Sequence, residues 1–187
     1  MAEDKFIMQL KAGDRQAFDT LVETYQSQVV NMAYGLLSDR EDALDAAQEV
    51  FIKVYRSISS FRGESALSTW IFRITRNVCT DFLRKRKYET VSMDQEDDEK
   101  PKMELGDTTH APEQVVEQTQ MQRMVREAIA QMDENHRAVI TLFDIEGMSY
   151  DEIAQILECP VGTVKSRLAR AREKLKQFFI ENREQIL

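Results

Sequence analysis

The stretch from Ser149 to Phe178 constrains the fold most, because its pattern indicates two amphipathic helices joined by a proline turn. Ser149 and Glu152 have the S-x-x-E spacing of a capping box, which predicts that a helix begins there. Cys159-Pro160 ends that helix, since proline lacks the N–H, whereas Pro160 can open the next one. The pattern predicts a helix-turn-helix, a motif whose second helix enters the major groove of DNA.

The predicted second helix combines an apolar face with basic ones. Its apolar positions recur at helical spacing and should face the core: Val161, Val164, Leu168, Ala171 and Leu175. Between Pro160 and Ile180 there are six Lys or Arg residues and one acid. A solvated amphipathic helix that happens to be basic is the alternative. Thr163, Ser166 and Arg170 share one exposed face, and this favours binding to DNA.

The net charge of the chain conceals an uneven distribution. A formal net charge of −8 would by itself argue against a DNA-binding protein. However, the segment from Glu89 to Gln118 contains ten acids and two lysines, and the remainder holds 23 acids and 23 bases. The acidic segment also lacks helical periodicity and is broken by Pro101, Gly106 and Pro112. We therefore predict a flexible acidic linker there.

The linker divides the chain into two predicted domains. Apolar residues at helical spacing run through both halves, and no strand pattern is long enough to defend. We predict an all-α fold of two small helical domains joined by a flexible acidic linker, the second with a helix-turn-helix. The predicted bounds are 1–90, 91–111 for the linker, and 112–187. The predicted helix-end residues are Asp14, a Ser38–Glu41 capping box, Ser65 or Ser68, Asp133, and Gly147 as a left-handed C-terminal residue.

Several classes of protein find no support in this sequence. It has no apolar run of about 18 residues and no signal-peptide core, so we expect a cytoplasmic protein without membrane insertion. Cys79 and Cys159 lack metal-ligand spacing and should be reduced thiols. A nuclease would need a metal cluster or a nucleophile–base pair, and His110 and His136 supply neither. We expect no catalytic residue, no metal and no cofactor.

One helix of the first domain, DALDAAQEVFIKVYRSI, has an outer face that mixes acidic and apolar residues. Asp45, Gln48, Glu49 and Ile52 follow at spacings of three, four and seven, so they share that face. Such a stripe can dock a helix of another protein. An ordinary solvated face is the alternative, and spacing alone favours it.

The next helix, within FRGESALSTWIFRITRN and the residues after it, has a second basic face. Arg73, Arg76, Asn77, Thr80 and Arg84 lie opposite its apolar stripe, and the cationic run Arg84 to Lys87 suits phosphates. Aromatic residues near cations can stack on unpaired bases. At helical spacing, however, Trp70 and Phe72 are predicted to belong to the core.

Two blocks of the sequence resemble bacterial sigma factors of the extracytoplasmic-function type. PVGTVKSRLARARE resembles the recognition helix in their fourth region. DALDAAQEVFIKVY followed by FRGESALSTWIFRITRN resembles their second region. The larger housekeeping type is excluded, since no third region separates the blocks. The resemblance implies that the protein binds core RNA polymerase, directs it to a promoter and helps to open the DNA.

The resemblance also assigns residues to three surfaces. Those matching positions that bind the coiled coil of the polymerase clamp are Asp45, Gln48, Glu49 and Ile52. Those matching positions at the −10 element are Lys53, Phe61, Arg62, Gly63, Ser65, Ser68, Arg73, Arg76, Asn77, Arg84 and Lys85. Those matching positions at the −35 element are Pro160, Thr163, Lys165, Ser166, Arg167, Ala169, Arg170 and Arg172.

The roles implied for these residues are physically reasonable. A pocket that accepts only a flipped base offsets the few kcal/mol that unstacking costs, and Asn77 can both donate to and accept from a base edge. Arg170 bidentate to a guanine would contribute about 1–3 kcal/mol of discrimination. Ala169 can touch only a thymine methyl. Thr163, Arg167 and Arg172 are assigned mainly to phosphates.

Partners follow from the resemblance as well. They are core RNA polymerase, through its clamp and also its flap, promoter DNA, and an anti-sigma factor that holds the two domains. The acidic linker should weaken binding of the free protein to promoter duplex. A stand-alone helix-turn-helix regulator is the alternative function. It would explain the second domain, but not the face that carries Asp45, Gln48 and Glu49.

Overall fold

The computed structural model describes residues 2–93 and 120–182. All regular structure within these ranges is helical, which confirms the prediction of an all-α fold. The predicted linker lies outside the described residues except for 91–93, which continue a helix. His110 and the predicted start of the second domain at Pro112 also lie outside them.

Residues 2–93, as described by the structure, form four α-helices. They are α1 (Ala2–Lys11), α2 (Arg15–Leu37), α3 (Arg40–Ser57) and α4 (Leu67–Met93), with a 3₁₀ turn at Ile58–Ser60 after α3. α2, α3 and α4 pack against one another around a core that includes Leu21, Met32, Val50, Ile71 and Phe72. Trp70 is half-buried against this core, as its spacing predicted.

Four helices also make up the C-terminal part. They are α5 (Gln120–Ala130), α6 (Glu134–Ile140), α7 (Tyr150–Leu157) and α8 (Val161–Glu181), and a π-helical turn at Thr141–Ile145 extends α6. α7 and α8 pack through Ile153, Ile156, Val164 and Leu168, all buried. The predicted helix-turn-helix is therefore confirmed, with Glu158 to Pro160 as its turn.

The predicted helix starts depend on side chains that accept backbone N–H groups. Asp14 caps α2 and accepts from Gln16 N at 2.9 Å, and Asp133 caps α6. At α7, Ser149 Oγ accepts from Glu152 N at 3.3 Å, while Glu152 Oε2 accepts from Ser149 N at 2.9 Å. The capping box is therefore complete, and Gly147 before it has a positive φ of 69°, as predicted.

Two predicted helix starts are wrong. Ser38 does not cap α3, because Ser38 ends α2 in the left-handed conformation, with a φ of 60°. Asp39 caps α3 instead, accepting from Asp42 N at 2.9 Å. Neither Ser65 nor Ser68 precedes α4 directly, since that helix begins at Leu67, after Ala66. At α3, local spacing could not choose between Ser38 and Asp39, because both side chains are able to cap a helix.

The two groups of helices pack against each other. α7 lies against α4, and α6 lies against α2. Their buried side chains belong to one continuous apolar cluster. Gly35 of α2 faces Thr141, and a Cβ atom at Gly35 would lie 2.5 Å from Thr141 Oγ1. The absence of a side chain at Gly35 therefore allows α2 and the π-helical turn to meet.

Candidate nucleic-acid interface

The N-terminal half of α8 presents a polar and basic surface. Its exposed residues from the predicted set are Pro160, Lys165, Ser166, Ala169 and Arg170, and Thr163 beside them is half-buried. α7 holds this surface in place through the apolar contacts described above. Lys165 Nζ lies 5.4 Å from the ring centre of Tyr150, the first residue of α7. The arrangement suits insertion of α8 into a major groove.

Arg172 has a different environment from the rest of that set. Its Nε and Nη2 atoms donate to the carboxylate of Asp144 at 3.1 and 2.5 Å, and its guanidinium lies 5.2 Å from the ring centre of Phe143. The hydrogen bonds with Asp144 raise the pKa of Arg172. Arg172 therefore fastens α8 to the π-helical turn. This pair could not be predicted from helical spacing, since Asp144 lies 28 residues earlier in the chain.

Arg167 also departs from the exposed surface. It is half-buried, and its Nη1 lies 4.0 Å from Cys159 Sγ. Arg167, Arg76 and Glu134 line a small cleft of about 20 Å³ between the two groups of helices. Two arginines predicted for different DNA elements therefore meet at one place.

The predicted −10 surface lies along α4 and is partly occupied by ion pairs. Asn77, Arg84 and Lys85 are exposed, whereas Arg73 and Arg76 are half-buried. Arg84 Nη1 lies 3.6 Å from Asp81. On α3, Lys53 Nζ lies 3.0 Å from Glu49 and 3.8 Å from Asp81. The positive charge of this face is therefore moderated by acids on α3 and α4.

The loop before α4 separates into exposed and anchored residues. Arg62 and Gly63 are exposed, with a positive φ of 74° at Gly63, while Ser65 and Ser68 are half-buried. Phe61, in contrast, is only 4% exposed and its ring centre lies 5.3 Å from that of Trp70. Phe61 was expected on a DNA-facing surface, but its side chain packs in the core and anchors the loop.

The outer face of α3 is more apolar than predicted. Asp45, Gln48 and Ile52 are exposed as expected, and Glu49 is half-buried in its ion pair with Lys53. Leu44, Ile52 and Tyr55 are 44%, 50% and 56% exposed, respectively. Leu44 and Tyr55 were missed, although Leu44 precedes Gln48 by one helical turn and so shares its face. A stripe of this kind is typical of a protein–protein contact.

The described residues also include both cysteines, and they can be assessed for metal clusters and membrane-spanning helices. Residues 2–93 and 120–182 contain no cluster of three or more His, Cys, Asp or Glu side chains suited to a metal. None of the helices described there is long and apolar enough to cross a membrane. Both cysteines are free, and burial, aided by the charge of Glu134, raises the pKa of Cys79 to about 12. The Cys79 thiol is therefore unreactive at neutral pH.

Comparison with protein families finds two matches, one in each part of the chain. Residues 21–88 match the family described as Sigma-70 region 2. Residues 122–175 match the family described as Sigma-70, region 4. The first range contains α3 and most of α4, and the second contains most of α5 to α8.

Curated relatives match nearly end to end. The ECF RNA polymerase sigma-E factor of Haemophilus influenzae is 38% identical over 181 residues, which cover 94% of either chain. The RNA polymerase sigma-H factor of Pseudomonas aeruginosa is 36% identical, over 92% of this chain and 91% of the relative. The sigma-E factor of Escherichia coli K12 is 35% identical, over 94% of this chain and 93% of its own.

Two solved structures share the fold. The sigma factor RpoE of Bartonella quintana, in complex with the anti-sigma factor NepR, is 26% identical with a TM-score of 0.71. That match covers 87% of this chain and 96% of RpoE. CnrH, in complex with the cytosolic domain of CnrY, has a TM-score of 0.69, and the match covers 97% of this chain and 99% of CnrH. At 22% identity, CnrH supports the fold alone.

Proposed function

The chain belongs to the sigma-70 family, in its extracytoplasmic-function group, and from this premise we propose how its surfaces divide the work of promoter-specific transcription initiation. Sigma factors bind core RNA polymerase and promoter DNA, and they are initiation factors rather than enzymes. One observation carries the proposal: basic faces on α4 and α8 fall in the parts that match region 2 and region 4, respectively.

We assign the exposed surface of α8 to the −35 element as duplex DNA. Lys165, Ser166 and Arg170 project from its N-terminal half and suit base edges in the major groove, where Arg170 can pair with a guanine. Pro160 and Thr163 lie at the start of the helix, where they would meet the phosphates of the DNA backbone. Arg172 contributes by holding α8 against Asp144 rather than by touching DNA.

We assign α4 and the loop before it to the −10 element. Asn77, Arg84 and Lys85 offer hydrogen bonds and positive charge to a separated strand, and Arg62 and Gly63 extend this surface. A base flipped out of the stack would be held beside Asn77, whose amide can pair with a base edge. Trp70 is assigned to the core of this region, since its ring packs on Phe61.

We assign the stripe on α3 to core RNA polymerase, at the coiled coil of its clamp. Leu44, Ile52 and Tyr55 supply apolar area, while Asp45 and Gln48 supply the polar contacts that set specificity. The second domain would also contact the flap. Binding to polymerase would place the protein in the bacterial cytoplasm. By analogy with RpoE and its partner NepR, an anti-sigma factor is a further expected partner.

Run-off transcription with purified core polymerase tests the proposed function. The template is a pool of random promoter fragments, and the proteins are the wild type, Gln48→Ala, and Gln26→Ala as the matched control on α2. We expect transcripts that require the wild type, that fall about fivefold or more with Gln48→Ala, and that persist with Gln26→Ala. A fivefold loss corresponds to about 1 kcal/mol of binding free energy, the size of effect that marks a residue important to an interface.

Two results would contradict the proposal. Transcripts that are equal for all three proteins would show that the α3 stripe does not bind polymerase. Binding of the protein to DNA without any polymerase-dependent transcript would instead favour the stand-alone regulator.

A further inference from the structure

Two carboxylates of the second domain lie against the basic face of α4. Glu158 Oε2 is 3.6 Å from Arg76 Nη1, and the side chain of Arg76 is only 31% exposed. Thr80 Oγ1 donates to Glu134 Oε1 at 3.3 Å. Both carboxylates approach the same side of α4, one helical turn apart, because Arg76 and Thr80 are four residues apart.

Carboxylates and phosphates present the same kind of group to an arginine. Each offers two oxygen acceptors that match the planar guanidinium, and each carries negative charge. Glu158 is the left-handed C-terminal residue of α7, with a φ of 51°, so the turn of the helix-turn-helix itself delivers one of the two carboxylates. Arg167 from α8 lines the same cleft as Arg76 and Glu134. The contact therefore draws on both DNA-reading helices.

We propose that Glu134 and Glu158 occupy the positions of nucleic-acid phosphates on α4, so that in the free protein the second domain competes with the −10 strand. This inference rests on the proposed assignment of α4 to the −10 element. The expected consequence is a weak affinity of the free chain for single-stranded DNA, which increases when the two domains separate. Binding to a partner that separates them would then expose Arg76 and Arg167 together.

Further contacts between the domains hold this arrangement. Arg137 Nη1 donates to Ser38 Oγ at 3.0 Å, and Arg126 lies 6.0 Å from the ring centre of Tyr34. A close contact also joins Gly35 to Thr141. A Cβ atom on Gly35 would lie 2.5 Å from Thr141 Oγ1 and 2.7 Å from Cγ2. Thr141 is fully buried and β-branched, so its side chain has little room to move.

Gly35→Ala is therefore a means of opening the contact without changing a charge or a DNA-facing residue. Alanine suits the helical backbone of α2 better than glycine does, so the first domain should keep its fold. Thr141→Ala removes the two closest atoms and leaves Cβ at 3.1 Å, a contact that a shift of a few tenths of an ångström relieves. Within the described residues Thr141 Oγ1 has no hydrogen-bond partner, so its removal breaks no bond. In the double variant Gly35→Ala/Thr141→Ala the two domains should pack against each other again.

Two measurements on the free full-length chain test the proposal. Small-angle X-ray scattering gives the radius of gyration, and fluorescence anisotropy gives the affinity for a fluorescein-labelled single strand of about 12 random nucleotides. If about nine tenths of the free chain is closed, Gly35→Ala should raise that affinity about tenfold and increase the radius. The double variant should return both values to those of the wild type.

A second set of variants tests the two carboxylates directly. Glu134→Gln/Glu158→Gln keeps the shape of both side chains and removes their charge. In the matched control, Glu127→Gln on the exposed face of α5 replaces one of these two changes. We expect Glu134→Gln/Glu158→Gln to gain more affinity for the single strand than this control does. Equal gains would show that net charge, and not position, sets the affinity.

The outcomes separate this inference from the proposed function. An unchanged radius and affinity in Gly35→Ala, or a larger radius without a gain in affinity, would overturn the inference. Run-off transcription by the wild type judges the proposed function independently, since it does not depend on how tightly the free chain binds a single strand. If the wild type failed in transcription while Gly35→Ala still gained affinity for the single strand, the proposed sigma-factor function would be refuted. The inference about the contact between the two domains would stand.

Discussion

Asp133 connects three groups at the start of α6. Its carboxylate accepts from the backbone N–H of His136 at 3.2 Å, from the His136 ring, and from Lys174 Nζ of α8 at 2.9 Å. Burial by itself raises the pKa of Asp133, but the hydrogen bonds from Lys174 and His136 outweigh it and hold the pKa well below its usual range. The ionised form is therefore the one that the folded protein stabilises.

The stability contributed by Asp133 should depend on pH. Because its pKa is lower in the folded than in the unfolded chain, the contribution is complete above the unfolded value of about 4 and is lost as pH falls through the folded value. Asn also caps helices well, so Asp133→Asn removes mainly the charge. Urea unfolding should show the variant less stable near neutral pH by at most about 1 kcal/mol, since the pair is half exposed.

The difference between wild type and Asp133→Asn should shrink steadily as pH falls from about 4 towards 2. A difference that stays constant over this range would mean that the charge of Asp133 does not stabilise the fold. High salt should also reduce the difference at neutral pH, because half-exposed ion pairs are screened.

Individual pairings were the part of the site that sequence could not supply. Arg170 and Arg172 lie two residues apart on α8 and so do not share a face, yet both were expected to contact DNA. Only the fold brings Asp144 and Phe143 to Arg172, and only the fold turns Arg167 towards Arg76. Phe61 is similar, because its burial depends on Trp70 from another element.

At the scale of the element, α7 shows how strongly local sequence sets structure. Ser149 and Glu152 exchange two hydrogen bonds with the backbone. The pKa of Glu152 is lowered chiefly by the Ser149 hydroxyl, which donates to Glu152 Oε2 at 2.7 Å, and further by the Ser149 backbone N–H. α7 is only eight residues long, so an isolated peptide of this length would not be helical. Both the cap and the apolar face are therefore needed to keep α7 helical.

Ser149→Ala should destabilise the protein by about 1 kcal/mol, since an N-cap hydroxyl is lost. Glu152→Gln is the matched control, because glutamine also satisfies the capping box. Urea unfolding measures the stability, and amide hydrogen exchange locates the loss within α7. If Ser149→Ala were as stable as Glu152→Gln, the capping box would not be what fixes the start of this helix.

Helix existence was predictable here, and the choice among neighbouring caps was not. Apolar residues at helical spacing located the helices of both domains, since burial enforces that period. At the start of α3 both Ser38 and Asp39 can cap, and the outcome depends on the left-handed end of α2 and on Arg137, which donates to Ser38. The donor lies 99 residues away, beyond the reach of local pattern.

At the scale of the molecule, two matched regions are joined by a tight contact. The sequence predicted two helical regions but did not predict that α7 packs on α4. The contact depends on Gly35, which as a residue within a helix carries no signal of a partner until Thr141 is placed opposite. One apolar cluster extends through both parts, so they should not unfold independently.

Unfolding in urea should therefore be a single transition in the wild type. Fluorescence of Trp70, the single tryptophan, reports on the first domain, and far-ultraviolet circular dichroism reports on all helices. The two curves should coincide for the wild type and separate for Gly35→Ala, since coincidence of probes is the test of one cooperative unit. Separate curves in the wild type would show that the contact is too weak to couple the domains.

The cleft that holds both Arg76 and Arg167 has a consequence for a cell that contains more of this protein than of free core polymerase. Because one contact covers Arg76 of α4, the helix proposed to bind the −10 strand, the surplus molecules would leave single-stranded DNA in the chromosome largely unoccupied. They would not compete with the holoenzyme for strands that separate at promoters. Transcription would then depend on the number of assembled holoenzymes, and an excess of the free protein would not by itself change it.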